Sequence, residues 1–407
     1  MACVFAMQLN AQQKCVSSEY LSKEFLDDLS FKQRAEQIEI FTKQKTTAAG
    51  INQRDVFASP VIRIPVVFHV LYRTADEDIS IQKILDQLDA LNRDYRRKNA
   101  DTINTPSAFK QDAADMEIEF QLAGSDPMGR STSGIVRKYT PVTYWMSDDK
   151  IKFDSSYGDN AWDSKSYLNI WICNLKDVLG YSTFPGQDPK KDGVVLDYKN
   201  VLGNGASMAN KGRTIVHEVG HWLNLKHIWG DTFCGDDNVD DTPKQSTYTP
   251  GCPGGTRISC SNAPTGDMYM NYMDFTDDGC MNMFSKGQKQ RARVLFDAGG
   301  PRNSIRFSQG FNQPTAAAAA LPDFYPRWYN AEVYPNPATD HVNIYFDYDE
   351  RWQGKELQVI DMTGKLLFRK KIDSKVQRID LSHLQPGVYI IKASKENEAI
   401  AQKFIKL

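Results

Sequence analysis

The 407-residue chain has no apolar run near the roughly 20 residues that a bilayer-spanning helix needs, so no stretch reads as a transmembrane segment. Net charge is also scarce. Lys and Arg number 49 against 51 Asp and Glu, a formal −2 at pH 7, which offers no bulk attraction to nucleic acid or to an anionic membrane. The seven cysteines, Cys3, Cys15, Cys173, Cys234, Cys252, Cys260 and Cys280, include no C-x-x-C pair, so the common thiolate pattern of a structural zinc site is missing. Histidine occurs only six times. What remains is a globular composition, 41% hydrophobic and 25% charged, over a length that predicts two or three domains.

Half of those histidines fall between residues 217 and 227. His217 and His221 are one helical turn apart, which places both imidazoles on one face, with Glu218 beside the first. His227 follows ten residues after His217, and a continuing helix would carry it roughly 15 Å away. Zinc–nitrogen bonds span only about 2.0–2.1 Å. For three imidazoles to share one ion, the helix must end after His221 and the chain must turn back. Asn224 is the residue suited to that turn, because asparagine tolerates the left-handed conformation of a helix C-cap. A pair of buried structural histidines is the alternative for His217 and His221; the third makes a metal the better account.

The run His217-Glu218-Val219-Gly220-His221-Trp222-Leu223-Asn224-Leu225-Lys226-His227 resembles the metzincin motif H-E-x-x-H-x-x-G-x-x-H, with Asn224 at the usual glycine. Among metzincins it is most similar to the pappalysin family of zinc endopeptidases. The resemblance implies an α+β fold: a metzincin catalytic domain with a twisted mixed sheet, long helices, a zinc helix and an irregular, disulfide-linked lower subdomain. It implies a catalytic Zn2+ held by His217, His221 and His227, with a fourth position for water. Glu218 is then the general base acting on protein or peptide substrates. Met273, in Met270-Asn271-Tyr272-Met273-Asp274-Phe275, resembles the methionine beneath the zinc. Two residues later relatives carry a tyrosine able to reach the reaction intermediate; this chain has Phe275, and Tyr272 can replace it only if the turn aims its ring at the metal.

Several other segments acquire expectations in order. Residues 1–13 read as a partial signal peptide, from the apolar run at 2–7, although a basic n-region is missing. Residues 14–60 are polar with helical periodicity and read as a propeptide; the resemblance implies that the Cys15 thiolate can fill the open zinc position, and release is expected between Gln53 and Arg54 or at another basic residue such as Lys45. The catalytic domain is expected over 61–307, beginning with a buried strand near residues 64–72 and an amphipathic helix over 81–97 carrying Ile81, Ile84, Leu85, Leu88, Leu91 and Tyr95 on one side. His69 reads as a hydrogen-bonded core residue, and Cys173 as a buried thiol.

Cys234, Cys252, Cys260 and Cys280 sit in a Gly-, Pro- and Asp-rich stretch with little core of its own, where disulfides are most useful; spacing alone allows three pairings. The resemblance implies Cys234 with Cys260 and Cys252 with Cys280. The acidic run over 235–243 is either a solvated loop or a Ca2+ site, and the resemblance favours calcium at Asp237, Asp240, Asp241 and Thr242. Asp277 and Asp278 follow the Met-turn, where a buried carboxylate would favour Arg or Lys just after the cut.

Residues 308–330, with five successive alanines, read as a linker. Residues 331–407 read as a small all-β sandwich, with a hairpin turn at Thr363-Gly364-Lys365. They are similar throughout to the C-terminal sorting domain of Bacteroidetes type IX secretion cargo, which implies that machinery as a partner and a secreted or cell-surface location. Two rival functions stand beside the peptidase: an adhesin or binding protein holding zinc without catalysis, and a zinc amidase acting on other amides.

Overall fold

A computed structural model describes residues 14–51, 60–202, 210–312, 327–328, 331–345, 352–395 and 398–407. The expected leader, Gln53, Arg54 and most of the expected linker lie outside them. The chain opens with strand β1 (Lys14–Cys15) and helices α1 (Ser17–Asp27) and α2 (Leu29–Ile51). Strand β2 (Ile62–Tyr72) follows; from Ile64 to Tyr72 every residue is buried, as its almost unbroken apolar run requires of a strand covered on both faces.

Helix α3 (Ile81–Tyr95) starts where the Ser80 hydroxyl accepts the Lys83 N–H as an N-cap. Ile84, Leu88, Leu91 and Tyr95 are buried, each worth about 1.5–3 kcal/mol for an aliphatic side chain. Ile81 and Leu85, expected on the same side, are instead 56% and 40% exposed, because at 100° per residue they flank the stripe rather than lie within it. Strands β3 (Ala113–Ala114), β4 (Ile118–Leu122), β5 (Ile135–Tyr139), β6 (Leu168–Cys173), β7 (Val178–Ser182) and β8 (Val194–Asp197) precede helix α4 (Arg213–Trp222). Strand β9 (Phe284–Ser285) leads into helix α5 (Lys286–Arg293), opened by a capping box between Ser285 and Gln288.

The main sheet runs β1-β7-β8-β6-β2-β4, with β5 also on β2. Its pairs are parallel except β7 against β8. Ile215, Val216 and Val219 of α4 share one core with β2, β6 and α3. His69 is held in the sheet as expected: Nδ1 meets Asp159 at 2.6 Å and Nε2 meets Asn169 at 3.0 Å.

The C-terminal region is all β. Strands β10 (Arg327–Trp328), β11 (Glu332–Tyr334), β12 (His341–Tyr345), β13 (Glu356–Asp361), β14 (Leu366–Lys371), β15 (Val376–Asp380), β16 (Gly387–Lys395) and β17 (Glu398–Lys406) make two sheets, β10-β17-β16-β13-β14 and β11-β12-β15. Val342 and Ile344 of one sheet pack with Leu357, Val359 and Ile391 of the other. The expected turn joins β13 to β14, with Asp361 accepting the Thr363 and Lys365 N–H groups and Gly364 at φ 86°.

Candidate metal centre

Helix α4 is fixed at both ends. At its start Gly212 takes φ 73°, and the Asp278 carboxylate accepts the N–H groups of Lys211 and Arg213, each at 2.9 Å. At its end Asn224 takes φ 66°. Its N–H reaches His221 O at 2.9 Å while the Leu225 N–H reaches Gly220 O at 2.9 Å, the paired bonds of a Schellman turn. The chain therefore reverses after His221, and Asn224 serves where glycine is usual. Arg291 Nε secures the turn by donating to Asn224 O at 2.7 Å.

This reversal brings His227 back to the helix. The Nε2 atoms of His217, His221 and His227 lie 3.1–3.2 Å apart. Each Nδ1 meets an acceptor: Tyr272 O at 2.7 Å, Leu225 O at 2.9 Å and Asp231 Oδ1 at 2.5 Å respectively. A carbonyl can only accept, so the Nδ1 atoms of His217 and His221 carry the protons and their Nε2 lone pairs face the common centre. Burial first, then neighbouring His227, lowers His217 to about 3 and moves His221 well below its ordinary value. Three converging Nε2 atoms, those of His217 and His221 with lone pairs aimed at the centre, fit one metal ion. Trp229 stacks on the His227 ring at 4.3 Å.

Beneath the histidines, Gly220 abuts Met273; a Cβ there would overlap the thioether sulfur. Ile228 N–H donates to Met273 O at 3.3 Å. Phe275 lies 4.7 Å from the His227 ring and 5.5 Å from His217. Tyr272 does not take its place: its ring packs on Phe284 and under Arg213, fully buried in the core, so only its carbonyl serves the centre.

Glu218 is fully buried, with Oε2 accepting the Ser17 hydroxyl at 2.8 Å and Oε1 without a partner among the described residues. Burial raises its carboxyl to about 7. The N-terminal segment crosses the site here. β1 pairs with β7, and the buried Cys15 Sγ comes within 3.5 Å of His221 Nε2. Cys15 and the three histidines offer ligand atoms all within 4.8 Å of one another. Burial and the Glu218 charge raise the Cys15 thiol well above its ordinary value.

Three contributors escaped the sequence reading. Ser17 joins Glu218 to the Ser182 N–H, and Ser18 and Asp231 engage His227 Nδ1. Asp231 stands four residues after His227, a spacing visible in the sequence; nothing local signals the serines.

The other expected residues occupy the surroundings. Cys234 bonds Cys260 and Cys252 bonds Cys280. The Asp237 carboxylate accepts the Thr242 hydroxyl at 2.8 Å and is raised to about 7 by burial; Asp241 accepts Ser285 Oγ and Gly287 N–H, and Asp240 is exposed. Asp277 is exposed, while Asp278 is engaged at the start of α4.

A family profile for Pregnancy-associated plasma protein-A matches residues 152–297, and one for the secretion system C-terminal sorting domain matches residues 332–407. An extracellular metalloprotease of Arthroderma benhamiae is 30% identical over 65% of this chain and 80% of its own. One of Verticillium alfalfae is 32% identical over 60% of this chain and 80% of its own. Mature mirolysin of Tannerella forsythia, in complex with a cleaved peptide, is 47% identical at a TM-score of 0.61, covering 63% of this chain and all of that one. The chain belongs to the pappalysin family. A promirolysin mutant from the same organism is 42% identical, with a TM-score of 0.66 over 74% of this chain and all of that one. This pappalysin is accordingly a metalloendopeptidase with a catalytic metal, and its sorting domain and extracellular relatives assign it to the cell surface or beyond. No described helix is long and apolar enough to cross a membrane.

Proposed function

We propose that the chain is a secreted zinc endopeptidase, made as a latent precursor, in which His217, His221 and His227 hold one zinc ion and Glu218 is the general base. The observation that carries this is the convergence of three Nε2 atoms 3.1–3.2 Å apart beside a fully buried carboxylate. Zinc bound there supplies a Lewis acid that polarises the scissile carbonyl and acidifies water toward a pKa of about 7. Glu218 takes the proton of the attacking water and returns it to the departing amine. Burial around His217 and His221 keeps those two imidazoles neutral and able to bind metal. Phe275 brings no hydroxyl, so charge building on the carbonyl oxygen has no phenol donor from that position.

The proposed propeptide is residues 14–60, after a leader over 1–13; the catalytic domain is 61–307, the linker 308–330 and the sorting domain 331–407. Cys15 is its latch, supported by the 3.5 Å approach to His221 and by the greater coverage of the promirolysin relative. Release falls between Gln53 and Arg54 or at Lys45. The acidic loop with Asp237, Asp240, Asp241 and Thr242 takes calcium, supported by a buried Asp237 carboxyl raised to about 7 that a cation would return to its charged form. Asp277 and Asp278 give a preference for Arg or Lys after the cut; the exposed Asp277 is free for the role, whereas Asp278 already holds two backbone N–H groups. The type IX secretion machinery is the partner of the C-terminal domain.

The test is Glu218→Ala in the full chain. It is expected to fold, bind zinc and lose peptide hydrolysis by at least a hundredfold; turnover within tenfold of the parent would sink the assignment. Cys15→Ala should give premature activity, and unchanged latency would remove the latch.

A further inference from the structure

The N-terminal segment fills a second cavity, on the face of the sheet opposite α4. β7 divides the two: Gly180 faces Glu218, whereas Tyr181 joins a cluster with Tyr20, Ile151 and Trp171. Tyr20 of α1 is 4% exposed, and Asp149 and Lys152 beside it are 2% and 0% exposed. The Tyr20 hydroxyl donates to Asp149 Oδ2 at 2.6 Å and accepts from Gln187 Nε2 at 3.3 Å. The Tyr181 ring lies 5.2 Å away and Lys152 Nζ 5.6 Å from the Tyr20 centroid. Asp149 Oδ1 is occupied separately, by Lys152 Nζ at 2.8 Å and the Tyr181 hydroxyl at 3.3 Å. That leaves Oδ2 for the phenol, with Lys191 Nζ farther off at 3.6 Å.

Asp149, Lys152, Tyr181 and Gln187 come from the body of the catalytic fold, whereas Tyr20 and the buried Glu24, which accepts Gln187 Nε2 at 2.8 Å and Lys191 Nζ at 2.7 Å, come from α1. Once the N-terminal segment leaves, Asp149 Oδ2 is an acceptor deprived of its short donor in a ring-sized cavity, and a replacement donor is favoured there. The cavity borders β7, the edge on which Lys14–Cys15 pairs as an added strand. A peptide laid along the same edge sends alternate side chains to opposite faces. One set meets the histidines, as Cys15 does; the other meets this cluster, where Val16 already packs.

We propose that the cavity of Asp149, Lys152, Tyr181 and Gln187 is a substrate subsite that selects a tyrosine side chain on the polypeptide being cut. The selection rests on the peptidase reading above. Phenylalanine would fill the ring space yet leave Asp149 Oδ2 without its short donor and with Lys191 Nζ only at 3.6 Å, so the hydroxyl is what is recognised.

Two measurements on the full chain test this. Tyr20→Ala opens the cavity, and calorimetry then follows N-acetyl-tyrosinamide and N-acetyl-phenylalaninamide. The tyrosine amide is expected to bind this variant, not the parent, and about tenfold or more tighter than the phenylalanine amide. Separately, the full chain is activated by limited trypsin digestion until mass spectrometry shows the N-terminal segment released, and a peptide library is profiled. Peptides with tyrosine at one fixed position should be cut about tenfold faster than their phenylalanine counterparts, with Gln187→Ala driving that ratio toward one. Equal tyrosine and phenylalanine rates at every position overturn the subsite, reduce the cavity to a seat for Tyr20, and leave the peptidase standing. If no peptide is cut, the peptidase reading falls and the subsite with it, while amide binding still reports whether the cavity recognises a phenol.

Discussion

Replacing Asn224 with alanine should loosen the metal centre without touching a metal-facing atom. Asn224 stands at φ 66°, and it alone reverses the chain between His221 and His227. A left-handed conformation costs an ordinary L-residue roughly 1–2 kcal/mol, and asparagine tolerates it better than alanine does. The Asn224 side-chain Nδ2 is buried without a hydrogen-bond partner among the described residues, so deleting it removes no donated bond there that would offset the strain. A penalty of about 1–2 kcal/mol corresponds to a factor of roughly 5–30 in an equilibrium. Asn224→Ala is therefore expected to melt about 2–8 °C lower and, where the strain falls on the turned conformation, to bind zinc 5–30-fold less tightly. Asn224→Gly, which relieves the strain, should match or exceed the parent in both. The assay is zinc competition against a chromogenic chelator together with thermal unfolding, each with and without metal. An alanine variant as stable and as tight as the parent, or a glycine variant weaker than both, would refute the turn's role.

Gly220→Ala should cost about 1–3 kcal/mol, because its methyl overlaps the Met273 sulfur in a packed core; the double variant with Met273→Ala should recover part of that in a melt, and no recovery would mean the overlap is not the cause. Docking of α2 should depend on pH through Glu39. Burial alone would raise that carboxyl, but the Arg291 guanidinium, hydrogen-bonded to it at 2.8 Å, outweighs burial and holds it low. A lowered carboxyl contributes stability above its unfolded value of about 4.3 and loses it as pH falls through the folded one. Hydrogen exchange in α2 should thus accelerate, relative to intrinsic rates, from pH 5 to pH 3 in the parent and less so in Glu39→Gln; equal acceleration would count against the pair.

Much of the site was legible because its signals are local. The spacing of His217, His221 and His227 demanded a reversal, and only Asn224 suited it. The cysteine cluster called for disulfides, although spacing left three pairings open; the resemblance implied the pair now formed, Cys234 with Cys260 and Cys252 with Cys280. The stripe of α3 was right at Ile84, Leu88, Leu91 and Tyr95 and too wide at Ile81 and Leu85, since periodicity marks a face but not where its neighbours end. Asp278 shows the converse: nothing near it in the sequence announces that its carboxylate caps the backbone of α4 from 65 residues away.

By itself the sequence determined the three-histidine grip, the glutamate beside it, the reversal at Asn224 and the separate β module, because each is written in the order of neighbouring residues and constrained by backbone geometry. Only the tertiary structure decided how the rest of the chain reaches that grip. Cys15 lies 206 residues from His221 and reaches it by pairing on an edge strand. The packing of Phe284 and Arg213 around Tyr272 turned its ring into the core. Burial of Asp149 against Lys152 prepared a cavity that Tyr20 fills from 129 residues away. Such contacts depend on which surfaces fold together, and no local periodicity carries that information.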